Sequence, residues 1–364
     1  MTGATGFVGA HVAVLQARRG VRTRVTYRDE ARLERLAGAD VEPVKADVLD
    51  RAAMRRALRG CDLLFHAAGF VGSRPAERVW QENALAARVA VECAGAEGVE
   101  RVVLTSSVAA IGPAPPGEAA DEETPFRGGG LGLTYVDAKH EGEAEALAAG
   151  ARLGVEVVVV NPSYVFGPPV DRSQPGETST RMIGNYLAGR LPAVVDGQTN
   201  VVDVRDVALG HLSAAERGRP GERYVLGGHD ISWPALLRRV AALSSVHHPL
   251  LLLPPESAGV ARIAESLGLP MVVSSEGVAL MAQNWRVSSA KARRELGYRA
   301  RRLDETLTDT IEWYRELTAA GRFERRASPM SAAAAAVRLA GRTGLLGGVR
   351  AVGRWRGRQL VSGD

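Results

Sequence analysis

Cysteine is nearly absent. Cys61 and Cys93 are the two in 364 residues, and no spacing around them suits zinc, a redox pair or a disulfide framework. They are expected as reduced thiols of a cytoplasmic protein. Long apolar runs are missing too: Leu250 to Leu253, closed by Pro254, falls far short of the ~20 residues a membrane-spanning helix needs. No secretory signal precedes the first motif, so neither a membrane span nor export is expected. His247 and His248 stand before Pro249 without further ligands at metal spacing, and no metal is expected. The formal charge of +5 is concentrated at one end. Residues 324–364 hold eight arginines against Glu324 and Asp364, a net of +6 that leaves the rest at −1. A near-neutral body gives no electrostatic footprint for nucleic acid, and none is expected as a partner.

What is present is the balance of a folded globular protein, 46% hydrophobic and 24% charged residues. Short β-branched runs alternate with alanine-rich stretches of helical period, the pattern of βαβ units around a parallel sheet. Strands are expected near residues 23–28, 41–46, 63–67, 102–106, 155–161 and 223–226. The run Val155 to Val160 reads as central, because a strand covered by helices on both faces loses polar alternation. Helices are expected near 9–19, 51–58, 76–95, 135–153, from 204, and near 233–243, 289–296 and 304–317, with an irregular stretch from Gly167 to about Thr199. The fold class is therefore α/β, a doubly wound parallel sheet. The glycine-rich end, 326–364, reads as a mobile basic tail, with a partner- or membrane-surface helix as the alternative.

Thr2-Gly-Ala-Thr-Gly-Phe-Val-Gly9 opens directly into an apolar helix-period segment. Its glycines permit a tight turn and close approach to a pyrophosphate at the positive helix end, which makes Gly3, Thr5, Gly6, Phe7, Val8 and Gly9 candidate cofactor contacts. Such a loop should follow a buried strand, yet it begins one residue after Met1. That first strand is expected to be truncated, with the true start upstream. Arg28 ends the second expected strand, where an arginine suits the 2′-phosphate of NADP; Asp29 beside it keeps NAD open. Asp47 with Val48, and Ala67, Ala68 and Gly69, follow strand ends where a dinucleotide would lie.

Tyr135 and Lys139 stand four residues apart, one helical turn, on one face. A close ammonium would stabilise the phenolate and bring its proton exchange toward neutrality. Ser107 ends an apolar strand, and its hydroxyl could hydrogen-bond a substrate oxygen.

Taken together, these motifs resemble an extended short-chain dehydrogenase/reductase, in the dihydroflavonol-reductase-like and hopanoid-associated sugar epimerase branch. The resemblance covers residues 2 to about 323 and rests on Thr2–Gly9, His66–Gly69, Leu104–Val108, Tyr135 with Lys139, Asn161–Pro168 and Val202–Ala208. It implies Tyr135 as acid/base, Ser107 as the group positioning the reacting carbonyl or hydroxyl, and Lys139 as the holder of the nicotinamide ribose. It also implies a Rossmann-type fold, with a dinucleotide-binding domain at residues 1–165 that returns at 200–230 and a smaller substrate-binding region at 166–199 and 231–325. Asn83, Pro162 and Ser163 are implied to line the cofactor and residues 164–199 to wall the substrate. A homodimer through helices is part of the same implication. Ala86, Ala87 and Ala138 depart from the family pattern, a matter of packing. His66 is expected to pack or hydrogen-bond near the cofactor, and at least one of Asp203 and Asp206 to cap the helix that follows. The expected activity is NADP-dependent hydride transfer to or from a small carbonyl/alcohol substrate. The alternatives are a sugar epimerase or dehydratase with tightly held NAD, and a non-catalytic NAD(P) sensor.

Overall fold

The computed structural model of the chain describes residues 1–36, 38–72, 74–176, 179–259, 261, 275–323 and 329–342. The chain divides into two compact units, the first made of residues 1–172, 201–229 and 287–301, the second of 173–200, 230–286 and 302–364.

In the first unit, β1 (Arg24–Tyr27) pairs in parallel with β2 (Glu42–Lys45). A second parallel sheet runs in the order β3 (Leu63–His66), β4 (Arg101–Thr105), β5 (Glu156–Pro162), β9 (Arg223–Leu226). The Val157–Val160 run lies inside it with β4 and β9 on either side, as its unbroken apolar character led us to expect. Between β1 and β3 stand Met1 and Thr2. Met1 accepts from the Thr26 amide at 2.9 Å, while Thr2 donates to the Phe65 carbonyl at 2.9 Å and accepts from Ala67 at 3.2 Å.

Helices cover both faces. On one side α2 (Arg51–Leu58), α4 (Ala86–Ala96) and α5 (Thr134–Leu153) pack on Val102, Leu104, Val157 and Val159. On the other, α1 (Phe7–Arg18) and α7 (Val204–Arg217) pack on Val103, Val158 and Val160. The helix Ala290–Leu296 joins this second core through Ala292 and Leu296, followed by Tyr298. Residues 287–301, assigned to the substrate region on sequence, thus belong to the first unit: burial against Val207, Ala208 and Leu212 outweighs chain order.

The helix expected near 76–95 is interrupted. It runs as α3 (Ala76–Trp80), a π-helical turn over Gln81–Leu85, then α4. Such turns are rare and concentrate at functional sites.

The second unit holds the parallel pair β7 (Ala193–Val195) and β11 (Leu251–Leu253) with α6 (Arg181–Leu187), α8 (Trp233–Ser244) and Leu303–Ala319. Trp313, Tyr314, Leu317 and Phe323 form its aromatic core. The stretch expected to be irregular therefore carries a helix and strands of its own. At the basic end Pro329–Arg342 is helical, contrary to the expected tail: the Ala332–Ala336 run is a strong helix former, and the glycines that argued against it lie chiefly after residue 342. Residues 343–364 lie outside the described residues.

Candidate active site

The glycine loop turns between Thr2 and α1. Gly3 takes a φ of +68°, and a Cβ there would lie 2.4 Å from the Ala67 carbonyl group. At Gly9 a Cβ would fall 2.1 Å from the Gly3 oxygen, so helix and turn meet backbone to backbone. The α1 N-cap, Gly6, offers no side-chain cap, and the first helical turn holds no acid. Its amides and helix dipole are left for an anion, which fits a dinucleotide pyrophosphate. Thr5, Phe7 and Val8 lie on the same turn, and the Thr5 carbonyl accepts from Arg35 at 3.2 Å.

Ala67, Ala68 and Gly69 continue β3 beside this loop. A Cβ on Gly69 would meet Asn83 Oδ1 at 3.0 Å and Lys139 Nζ at 3.2 Å, so these two side chains converge there. Asn83, buried on the π-helical turn, is held by donating to the Val79 and Phe70 carbonyls, each at 2.9 Å. His66 is buried and shares a 2.8 Å hydrogen bond with Thr2 Oγ1; desolvation pushes its imidazole down to about 3.

Lys139 Nζ lies 6.0 Å from the centre of the Tyr135 ring. Ser107 faces the Tyr135 phenol, and its Oγ accepts from the Ala109 amide at 3.1 Å. The four-residue spacing predicts a phenol titrating closer to neutrality. The structure corrects this: burial pushes Tyr135 up to about 12, opposed in part by Ser107. Desolvation takes the Lys139 ammonium itself down to about 8.

Pro162 closes β5, and Ser163, buried, donates its amide to Leu226 at 3.3 Å. Asp203 caps α7, as expected of one of the two aspartates, accepting from the Arg205 amide at 2.8 Å. Asp206 instead receives the backbone amide and guanidinium of Arg301 at 2.7 and 2.8 Å, tying residues 287–301 to α7. Val48 is buried in the core, and Asp47 Oδ1 accepts from the Leu49 amide at 2.9 Å.

Arg28 follows β1 and is not an open fork. Its guanidinium meets Glu82 of the π-helical turn at 3.1 and 3.4 Å and Asp47 at 3.7 Å. Glu82 carried no signal on sequence, because the break that turns it toward Arg28 leaves no local signature.

Residues 1–227 match the NAD dependent epimerase/dehydratase family. The chain is 34% identical to a dihydroflavonol 4-reductase-like protein of Synechocystis sp., over 86% of this chain and 93% of that one. It is 33% identical to cinnamoyl-CoA reductase 1 of Oryza sativa subsp. japonica, over 67% and 75%. Among solved structures it is similar to PA4631, a nucleoside-diphosphate-sugar epimerase from Pseudomonas aeruginosa, with a TM-score of 0.73 and 30% identity over 89% of this chain and 98% of that one. No helix among the described residues is long and apolar enough to cross a membrane. With a glycine loop at a bare helix end and reductases among its relatives over most of its length, the chain belongs to the NAD-dependent epimerase/dehydratase family and is an NAD(P)-dependent oxidoreductase.

Proposed function

We propose that the protein is an NADPH-dependent reductase of a small carbonyl substrate, working through Ser107, Tyr135 and Lys139. The single observation that carries this is the Tyr135 phenol, facing Ser107 and with Lys139 Nζ 6.0 Å from its ring centre. Pushed up to about 12, the phenol is protonated at neutral pH, the state needed to give a proton to a carbonyl oxygen as that carbon is reduced. Ser107 would hold the same oxygen by a hydrogen bond. A bound nicotinamide cofactor supplies the hydride. Gly3 to Gly9 would hold its pyrophosphate, Asn83, Pro162 and Ser163 would line its path, and the Lys139 ammonium would bind the ribose hydroxyls.

NADP is preferred over NAD on account of Arg28. The carboxylates that engage it are rivals of modest strength, since its side chain is 55% exposed and exposed ion pairs are worth about 0–1 kcal/mol. A 2′-phosphate carries nearly two charges and accepts a bidentate guanidinium. The cytoplasmic location and homodimer belong to the same reading; Trp80 and Leu85, exposed beside and on the π-helical turn, support a helix-mediated pair. The likeness to a nucleoside-diphosphate-sugar epimerase favours one competitor, an enzyme that keeps NAD and returns the hydride.

Mass spectrometry of nucleotide released from the purified protein, with NADPH and NADH titrations, separates the two. The reductase reading expects no retained NAD, NADPH binding about tenfold tighter than NADH, and loss of that preference in Arg28→Ala. NAD that survives dialysis at full occupancy would favour the epimerase.

A further inference from the structure

On α5 a third polar side chain follows at the spacing of the first two: Tyr135, Lys139, Glu143. Glu143 is only 4% exposed, and its two oxygens are held from different strands. Oε2 accepts from Asn161 of β5 at 2.7 Å, and Oε1 lies 3.4 Å from the Arg223 guanidinium of β9. Asn161 is fully buried and donates a second bond, at 3.0 Å, to the Ser107 carbonyl. The carboxylate is thus fixed rather than free to turn, and it shares one anchor with the backbone of Ser107.

A buried carboxylate persists only if something nearby repays its desolvation. Arg223 is part of that, but it stands at a side chain 32% exposed, on the solvent side of the network. One turn back along α5 the charged group is Lys139. The groups that face Lys139 are Tyr135 and Glu143 from its own helix, Asn83 from the π-helical turn and His66 from β3. Of these, Glu143 alone is an acid, and it is what opposes the downward pull of desolvation on the ammonium.

We infer that Glu143 is a positioning residue of the reaction: clamped by Asn161 and Arg223, it supplies the counter-charge for Lys139 and ties that charge to the Ser107 segment. This deepens the reductase reading, but its test does not depend on that reading. The chain has three lysines, Lys45, Lys139 and Lys291, so isotope-labelled lysine gives an NMR spectrum simple enough to titrate one side chain at a time. Glu143→Gln keeps shape and hydrogen bonding while removing charge, and should lower the Lys139 midpoint from about 8 by about one pH unit. Arg223→Gln removes a competing cation at a partly exposed position and should raise it. Lys45 and Lys291 should not move in either variant. NADPH affinity in Glu143→Gln should then weaken about fivefold at pH 8 and stay near the wild-type value at pH 6, a split that a loss of structure would not produce. An unmoved Lys139 midpoint in both variants overturns the inference. Should Glu143→Gln not fold, an unmoved midpoint in Arg223→Gln overturns it alone. Lack of NADPH binding alongside shifted midpoints would count against the reductase reading and leave this inference standing.

Discussion

At the scale of single residues, the proton inventory of the site decides what it can do. Tyr135 is held protonated by burial and steadied by Ser107, and Lys139 keeps its ammonium below about pH 8. Tyr135→Phe should lower turnover by about 10²–10⁴-fold while leaving NADPH affinity within about twofold, checked by steady-state rates and fluorescence titration. A loss of affinity as large as the loss of rate would assign the phenol to binding instead. Tyr135, Lys139 and Ser107 were legible in the sequence because four-residue spacing and a strand end place them without knowledge of the fold. Glu143 followed the same spacing but has meaning only once Asn161 and Arg223 arrive from two other strands. The ion pairing of Arg28 was illegible for the same reason: its partner, Glu82, lies on a turn of unexpected geometry.

At the scale of elements, α5 and the π-helical turn meet at Gly142. A Cβ there would lie 2.3 Å from the Asn83 carbonyl oxygen, a backbone atom fixed by its helix. Gly142→Ala should therefore destabilise the fold by about 1–3 kcal/mol and move Asn83 away from Lys139. Urea unfolding should show the loss, and NADPH titration a weaker affinity; unchanged values in both would mean that the contact yields freely. The elements carrying these groups were legible where periodicity was long, as in α2, α5 and α7. The three-residue strands Tyr164–Phe166 and Ala193–Val195 were not, being too short to show a period. The helix Pro329–Arg342 was obscured when its alanine run was weighed together with the glycines that follow.

At the scale of the whole molecule, two buried histidines set a limit in acid. His66 is pushed down to about 3 and His211 to about 4 by desolvation, against an ordinary value of 6.5. Because their folded values are lowered, the unfolded chain takes up protons first, so stability is lost as pH falls below 6.5. Between pH 6.5 and 5 the slope should reach ~1.4 kcal/mol per pH unit for each histidine, read from urea midpoints. Midpoints flat across that range would show that these sites open to water. The doubly wound organisation was legible in the alternation of strand and helix, whereas the return of residues 287–301 to the first unit was not, since it depends on long-range burial of Ala292, Leu296 and Tyr298. Net reduction of a carbonyl with Tyr135 as proton donor can be read from NADPH deuterated at the transferring carbon and a panel of cyclic and aromatic ketones and aldehydes. Deuterium should appear in an alcohol product, matched by accumulated NADP, and both should form about 10²–10⁴-fold more slowly in Tyr135→Phe. Retained NAD with no net consumption of NADPH across the panel would contradict it.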